Sequence, residues 1–196
     1  MDIVNFQRYR KQQLRSLTNE IGVYALCDLD RVPIYIGKSI DGIRKRVARH
    51  LTSARSDVIA NRQLDVWEIA YVWAWPVSFE ERETISKLED FLISDYHSKS
   101  PLVNGKIPIR PEQPIRIPTK EEILVLPEDE IVKRKDPLLR LPRQINHFSN
   151  LFSHALEVKD NADVRRALET HFSRLKIYYQ DFMGTQVNSS EVDSDD

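Results

Sequence analysis

The sequence predicts a protein of the α/β (α+β) class, and three observations support this prediction. Two short apolar runs, residues 21–28 and 33–38, are separated by only four residues and are typical of two strands joined by a tight connection. Residues 66–75 alternate between aromatic or apolar side chains and others, as a strand does. Residues 43–51 and 85–96 instead repeat apolar positions every three or four residues, which indicates helices with one buried face.

The predicted hairpin brings two tyrosines close to a glycine and a lysine. Successive side chains of a strand point to opposite faces, so Tyr24 shares a face with Leu26, and Tyr35 shares one with Gly37. If the connection has an even number of residues, Tyr35 lies opposite Leu26 and diagonal to Tyr24. Two phenols on one face, a glycine that lets a ligand approach the backbone and then Lys38 are more typical of a site than of a core.

A helix is predicted over residues 3–17, and one side of it is basic. Its basic residues are Arg8, Arg10, Lys11 and Arg15. Such a helix either packs on the domain with its basic face in water or contacts nucleic acid directly. The sequence leaves both alternatives open.

The next predicted helix runs from Asp41 to about residue 54 and carries a dense basic patch. Its buried stripe has a spacing of four and consists of Ile43, Val47 and Leu51. Arg46 and His50 are also four residues apart and lie on a neighbouring stripe. The other basic residues of this helix are Arg44, Lys45 and Arg49.

A further helix is predicted from Ser78 to about Tyr96, and one acidic residue falls on its buried side. Glu89 comes four residues after Ile85 and three before Leu92, which both belong to the apolar stripe. A carboxylate beside an apolar stripe needs a partner, which is either a cationic side chain or a metal ion. A structural ion pair is the simpler of these two explanations.

The composition changes after residue 105, where Pro-Ile-Arg-Pro repeats replace regular periodicity. Isoleucine and leucine recur too often there for disorder, so an ordered wrap over the first half is expected. Helical spacing returns later and is expected to end at Gly184. The predicted organisation is a basic helix at 1–19, a compact domain at 20–105, a Pro-rich extended segment at 106–142, a helical hairpin at 143–184 and a disordered acidic tail at 185–196.

Composition restricts the class of protein. The chain has 196 residues, of which 41% are hydrophobic and 30% charged, and no apolar run approaches the roughly 20 residues of a membrane span. Its one cysteine, Cys27, excludes an intramolecular disulfide and a cysteine-rich zinc module. The N-terminus lacks the features of a signal peptide, so a cytoplasmic location is expected, associated with the nucleoid in a bacterium. Residues 1–50 carry ten Lys or Arg against five acids, so the overall charge of -1 does not exclude a polyanionic partner.

The residues singled out above resemble the GIY-YIG nuclease superfamily over about residues 20–105. The matching elements, in the family's order, are Gly22-Val23-Tyr24, Tyr35-Ile36-Gly37-Lys38, Arg46, His50, Glu89 and Asn104. One departure is a residue inserted at Asp41-Gly42, so that Lys45 competes with Arg46 for the family's arginine position. Arg46 is preferred because Ile43 then takes the apolar position before the basic run.

The resemblance implies a small three-stranded antiparallel sheet flanked by helices, and an enzyme that hydrolyses phosphodiester bonds with one divalent metal, Mg²⁺ or Mn²⁺. Tyr24 or Tyr35 would be the general base, provided that nearby cations lower the pKa of the phenol from about 10. Arg46 would stabilise charge on the phosphate in the transition state. Glu89 would hold the metal. His50 would orient a phosphate or a tyrosine hydroxyl.

A second set of residues is expected to contact nucleic acid, and it consists of Gly37, Lys38, Arg44, Lys45, Arg49 and Asn104. Of these, Lys38 is also counted with the catalytic residues, because the resemblance implies a tyrosinate base close to Lys38 and the metal. Asn104 is expected to fix the backbone or support the site more than to take part in the chemistry.

These features lead to the hypothesis of a DNA endonuclease, of a restriction-like or mobile-element type, that acts on double-stranded DNA. The C-terminal half would select the site or form a homodimer that cuts both strands. One alternative is a catalytically inactive nucleic-acid-binding or assembly module on the same fold. A second alternative is a helical-hairpin interaction protein in which the tyrosines, arginine and glutamate are structural.

Overall fold

A four-stranded antiparallel sheet forms the centre of the protein in a computed structural model that describes residues 3–52 and 63–192, with side chains over 6–52 and 63–184. Its strands are β1 (Ile21–Cys27), β2 (Pro33–Ser39), β3 (Tyr71–Val77) and β4 (Glu121–Leu124). Their order is β2-β1-β3-β4, and every neighbouring pair is antiparallel. The predicted fold class is confirmed. The fourth strand is supplied by the Pro-rich segment, which has the extended backbone that an edge strand needs.

Helices cover both faces of this sheet. They are α1 (Ile3–Gln13), α2 (Ile43–Thr52), α3 (Ile85–His97), α4 (Glu128–Lys135), α5 (Pro137–Glu157) and α6 (Ala162–Val192), and a 3-10 helix at Phe79–Thr84 leads into α3. The stripe of α2 packs with Tyr24 and Leu26 on one face, and that of α3 packs with Val23 and Ile36 on the other. Among the described helices, none is long and apolar enough to span a membrane.

The predicted hairpin register is confirmed, because Tyr35 lies opposite Leu26. The connection is held by Asp28, whose carboxylate accepts hydrogen bonds from the backbone N–H groups of Asp30 and Val32 at 2.9 and 2.8 Å. Arg31 takes the left-handed conformation, with φ 65°. Asp30-Arg31 at the centre of this connection is not a favoured turn sequence. The hydrogen bonds to the Asp28 carboxylate therefore hold the turn.

Two predicted boundaries in the first half are wrong. The N-terminal helix ends at Gln13 and not at residue 17, because Leu14 and Leu17 turn into the core. The strand predicted at 66–75 begins at Tyr71, because Asp65 accepts the N–H of Trp67 and starts a turn. This strand also continues through Pro76, beside which β4 is absent, so the missing N–H breaks no bond to that strand. The predicted end of α2 at residue 54 lies outside the described residues.

The C-terminal boundaries differ as well. Residues 128–135 and 137–142 are helical and not extended. Helix α5 begins with Pro137, whose missing N–H is not needed in the first turn of a helix. The side chain of Asp136 caps this helix by accepting a hydrogen bond from the backbone N–H of Leu138. The last helix does not end at Gly184 but continues to Val192, and only residues 193–196 of the predicted tail lie outside the described residues. Among the described residues, no atom lies within 4 Å of a Cβ placed on Gly184, so no tertiary contact there supports a glycine stop.

A buried ionic network fastens the helical hairpin of α5 and α6 to the sheet domain. The guanidinium of Arg140 pairs with Glu68 at 2.9 Å and with Asp30 at 2.6 Å. Arg174, on α6, pairs with Asp28, the residue that holds the β1–β2 connection. These side chains are nearly all buried, so the hairpin and the domain are expected to unfold together.

Stability is expected to fall as the pH decreases from about 6.5 to about 4, because of His171, a buried histidine of α6. Burial, and secondarily the charge of His147, lowers the pKa of His171 to about 4. The unfolded chain binds this proton below its ordinary pKa of about 6.5 and the folded chain does not, so protonation favours unfolding in that interval. Urea unfolding across the interval should show a slope that His171→Gln reduces, by up to about 1.4 kcal/mol per pH unit. An unchanged slope in the variant would contradict this assignment.

Candidate active site

Two tyrosines, a histidine and an arginine meet between the sheet and α2. The hydroxyl of Tyr24 and Nε2 of His50 are 2.7 Å apart, and both side chains are buried. The ring of Tyr35 lies 6.3 Å from that of Tyr24 and 5.6 Å from that of His50, measured between centroids. Of the two roles predicted for His50, the contact with a tyrosine hydroxyl is therefore present.

Arg46, and not Lys45, is the basic residue of α2 that reaches this group. Its guanidinium interacts with the hydroxyl of Tyr24 and with the charge that Tyr35 would carry. Its Nε is buried and has no hydrogen-bond partner in the described part of the chain. Lys45 instead points to solvent, where it pairs with Asp41 at 3.0 Å. With the residue inserted at 41–42, Arg46 is thus the basic side chain beside Tyr24, and Lys45 is not.

Tyr24 does not have the lowered pKa expected of a general base. Burial raises the pKa of Tyr24 well above its ordinary value, and the opposing effect of the Arg46 guanidinium is smaller. The expectation that neighbouring cations would bring this phenol towards neutral pH is therefore wrong for Tyr24. Tyr35 is only half-buried, so it is the more accessible of the two phenols.

Lys38 and Glu89 form a second group on the other face of β2. Nζ of Lys38 lies 2.9 Å from Oε2 of Glu89 and donates to Oγ of Ser86 at 3.1 Å. The side chain of Glu89 is 17% exposed and that of Lys38 is 41% exposed. Ser86 was not predicted, although it lies three residues before Glu89 on the same helix face. The cationic partner that was considered for Glu89 from the sequence is thus present, and it is Lys38.

The edge position of β2 brings these two groups to one border of the sheet. Tyr35 packs with the α2 side, whereas Ile36 packs with the α3 side, as strand alternation requires. Lys38 follows Ile36 by two residues and therefore points to the α3 side. Since β2 is the outermost strand, no further strand separates its two faces from solvent at that border.

Glycine is required in both triplets because of close backbone or ring contacts. Gly22 has φ 147°, and a Cβ there would collide with the carbonyl of Trp75. A Cβ on Gly37 would lie 2.6 Å from the hydroxyl oxygen of Tyr24 and 3.0 Å from the ring of Tyr35. Gly37 was predicted to let a ligand approach, but in the structure it makes room for the tyrosines.

A Gly37→Ala variant is expected to lose about 1–3 kcal/mol of unfolding free energy, because its methyl group must displace the Tyr24 ring from a packed site. Thermal or urea unfolding measures this loss. Gly184→Ala is the matched control, since nothing lies within 4 Å of a Cβ there and alanine favours a helix. Equal stability of the two variants would contradict the packing argument.

Asn104 fixes the backbone of β2. Its Oδ1 accepts the N–H of Ile36 at 3.0 Å, and its Nδ2 donates to the carbonyl of the same residue at 2.6 Å. The amide thus pairs with the free edge of β2 as a neighbouring strand would. With the side chain 7% exposed and both polar atoms in use, Asn104 supports the strand between Tyr35 and Gly37, in agreement with the backbone-fixing role.

The remaining basic residues differ in availability. Arg44 is half-buried and donates to the carbonyl of Leu17 at 2.7 Å, whereas Lys45 and Arg49 are exposed. On α1, Arg10 is buried and donates to the carbonyls of Val66 and Ile69. The helix therefore packs on the domain through one of its predicted basic residues, while Arg8, Lys11 and Arg15 remain exposed.

The described residues contain no cluster of three or more His, Cys, Asp or Glu side chains that could hold a metal ion. Mg²⁺ does not require such a cluster, because it keeps several waters and binds through one or two carboxylates. The partly exposed carboxylate of Glu89, which already faces a cation, fits this kind of site. A cavity of about 620 Å³ beside the start of α3 is lined by Thr84, Lys87 and residues 111–116, 118 and 119, among others, and by none of the predicted catalytic residues.

One family model matches this chain. Residues 20–101 match the GIY-YIG catalytic domain, which includes every residue of both groups described above. The match confirms the resemblance over that segment and indicates a nuclease of this type, a hydrolase whose members generally use a divalent metal ion. Neither the comparison with curated proteins nor that with solved structures gives a match.

Proposed function

From the GIY-YIG catalytic domain at residues 20–101, we propose that this protein is an endonuclease that hydrolyses phosphodiester bonds of double-stranded DNA. The observation that carries the proposal is the group of Tyr35, Arg46 and the Tyr24–His50 pair at the same border of the sheet as Glu89 and Lys38. We infer that the scissile phosphate binds at that border, between the two groups. A restriction-like or mobile-element enzyme is the biological setting that we propose.

Tyr35 is the proposed general base. It accepts a proton from the water that attacks phosphorus, so it must act as a tyrosinate. Its half-exposed ring can meet water, whereas the hydroxyl of Tyr24 is enclosed and bound to His50. Arg46 interacts with Tyr35 electrostatically, and its positive charge favours the tyrosinate.

Tyr24 and His50 position the other catalytic groups. A guanidinium can only donate hydrogen bonds, so the oxygen of Tyr24 accepts from Arg46, and its O–H is free to donate to Nε2 of His50. This chain fixes the guanidinium in one orientation. Arg46 then stabilises the negative charge that develops on the non-bridging oxygens, through a planar fork that matches a phosphate.

Glu89 is the residue proposed to hold the divalent cation, Mg²⁺ or Mn²⁺. When bound there, the ion would supply Lewis-acid stabilisation of charge on the leaving oxygen. Lys38 pairs with this carboxylate and is proposed to move to a phosphate when the substrate arrives, since its flexible side chain is 41% exposed.

The DNA backbone is proposed to contact exposed basic residues on both sides of this border. On α2 these are Lys45 and Arg49. On α1 they are Arg8 and Lys11, and Arg15 lies in the turn that follows α1. Such contacts raise affinity without reading sequence, and they make binding weaker at higher salt. Arg44 and Asn104 are left out of this contact set because their side chains hold the protein's own backbone.

Plasmid cleavage tests the proposal. The native protein should cut supercoiled plasmid with Mg²⁺ or Mn²⁺, and a chelator should stop the reaction. Glu89→Ala should abolish cleavage while DNA binding persists, because binding depends on other residues. Glu83→Ala, at an exposed acid before α3, is the matched control and should cut normally.

Three outcomes separate the hypotheses. Cleavage by the native protein that Glu89→Ala abolishes supports the nuclease. Binding of DNA by the native protein without cleavage under any metal condition supports the inactive binding module instead. Absence of both activities supports the interaction protein and overturns the proposal.

A further inference from the structure

The outer face of the α5–α6 hairpin carries an apolar repeat that the domain does not use. On α5, residues 138, 145 and 152 follow one another at seven-residue intervals, and residues 141 and 148 repeat at the same interval between them. All five are apolar: Leu138, Leu141, Ile145, Phe148 and Phe152. Of these, Leu138, Ile145 and Phe152 are 76%, 55% and 48% exposed. A spacing of three and four alternately is that of a helix packed against another helix.

Helix α6 repeats this pattern beside it. Its apolar residues recur in alternating steps of four and three positions: Leu168, Phe172, Leu175, Tyr179 and Phe182. Phe172 and Tyr179 are 57% and 53% exposed. Val164 and Ala167 pack with Leu151 and Ala155 of α5, and Leu168 is partly buried against that cluster. Arg174 lies on the side of α6 that faces the domain, where it pairs with Asp28. The two rows of α5 and α6 are called the hairpin seam below.

The two rows form one continuous surface. The rings of Phe148 on α5 and Phe172 on α6 lie 5.9 Å apart between centroids. Further along, Leu141 and Phe182 line the same shallow cavity. Within residues 3–52 and 63–192, no element covers the exposed members of the seam. Large exposed apolar surfaces of this kind mark interaction sites.

The charge pattern favours a second copy of this chain as the occupant. No Asp, Glu, Lys or Arg occurs between Arg143 and Glu157, although 30% of the whole chain is charged. The exposed polar side chains of that stretch are amides and hydroxyls, such as Asn146, Ser149 and Ser153. A face that meets its own copy must avoid like charges, and depletion of charge is typical of the core of an interface.

The size of the seam also suits a dimer. A helix of 21 residues, as α5 is, spans about 30 Å, and two helices side by side are about 20 Å wide. The footprint is therefore about 600 Å² per chain, or about 1,200 Å² in total, which reaches the lower limit of stable interfaces. Two hairpins related by a two-fold axis would form a four-helix bundle, in which each seam covers the other.

We propose that two copies of the chain pair through the hairpin seam and so present two nuclease centres to one DNA duplex. This inference rests on the proposed function in so far as the second centre cuts the second strand. Each chain holds one candidate centre, and a duplex needs two cuts. A two-fold dimer supplies these with the centres related by the symmetry of the DNA.

Sedimentation velocity on the full chain tests the pairing. The native protein should approach twice its 23.0 kDa chain mass as its concentration rises into the micromolar range. The double variant Ile145→Glu, Phe172→Glu should be monomeric, because the new carboxylates of the two copies would then meet in an apolar contact. The matched control is Val132→Glu with Phe79→Glu, two apolar positions outside the hairpin that are at least as exposed, and it should remain dimeric. Circular dichroism checks folding, and Tyr179→Glu alone replaces the double variant if that variant is unfolded.

The outcomes distinguish this inference from the nuclease proposal. A dimer that the seam variant dissociates, with nicking retained and linear product reduced at least tenfold, supports the pairing. A native protein that stays monomeric overturns it, and so does a dimer that the seam variant leaves intact. If the native protein cleaves plasmid as a monomer, only the pairing fails. If it dimerises through the seam without cleaving DNA, only the nuclease proposal fails.

Discussion

An Arg46→Ala variant is expected to cleave DNA about 100 to 1,000 times more slowly than the native protein, with little change in affinity. The loss corresponds to about 3–4 kcal/mol, the effect of removing one preorganised donor from a transition state. Arg46 is already oriented by Tyr24 and has an unused Nε donor, so its guanidinium needs no rearrangement when charge develops on the phosphate. Single-turnover cleavage with saturating enzyme measures the chemical step separately from DNA binding.

Arg49→Ala is the control for this experiment, because Arg49 lies on the same helix but is exposed and away from the tyrosines. It should weaken DNA binding and reduce its salt dependence, and it should leave the single-turnover rate unchanged. Unfolding of both variants should be measured, since Arg46 also contacts Tyr24. A native rate in a folded Arg46→Ala protein would show that the guanidinium is only structural.

An Arg140→Ala variant is expected to lose about 3–5 kcal/mol of unfolding free energy, which is a large part of the stability of an ordinary domain. Removing the guanidinium leaves the buried carboxylate of Glu68 without a cation, and also removes a partner of Asp30. Burial already raises the pKa of Glu68, which shows how unfavourable its charged form is at this site. Urea unfolding near neutral pH measures the effect.

Arg165→Ala provides the comparison, because Arg165 makes an equally short ion pair with Asp160 on the surface. Water replaces a lost partner there, so no measurable loss of stability is expected. Similar stability of Arg140→Ala and the native protein would mean that the hairpin is held by its apolar contacts alone. The network also reaches Asp28 and thus the β1–β2 connection, so its loss should loosen the strand that carries Tyr35.

Most of the central fold could be predicted because its signals are local. The short apolar runs at residues 21–28 and 33–38 and the four-residue spacing of Ile43, Val47 and Leu51 depend on neighbours in sequence, and each of these segments has the predicted type. The errors occur where distant contacts replace local preference. Leu14 and Leu17 leave a helical pattern for the core, and residues 121–124 become a strand only because β3 offers an edge.

The candidate site was predicted by residue type but not by arrangement. The spacing of Arg46 and His50 indicates that they share a side of α2, and both indeed reach Tyr24. No pattern in the sequence indicates that Glu89 pairs with Lys38, which lies 51 residues earlier, or that Ser86 takes part. Asn104 could be placed near the site by the resemblance, but its pairing with Ile36 depends on a loop that returns across 68 residues.

The sequence by itself determined the kinds of elements, their order and the chemical groups available, because periodicity and residue type are properties of a short stretch of chain. Only the tertiary structure decided which tyrosine is enclosed, which basic residues are exposed and how the C-terminal helices attach. Burial and charge partners set these properties, and they come from residues far apart in sequence, such as Arg174 and Asp28, which are separated by 146 positions. For this reason burial raises the pKa of Tyr24 even though the guanidinium of Arg46 lies beside its hydroxyl.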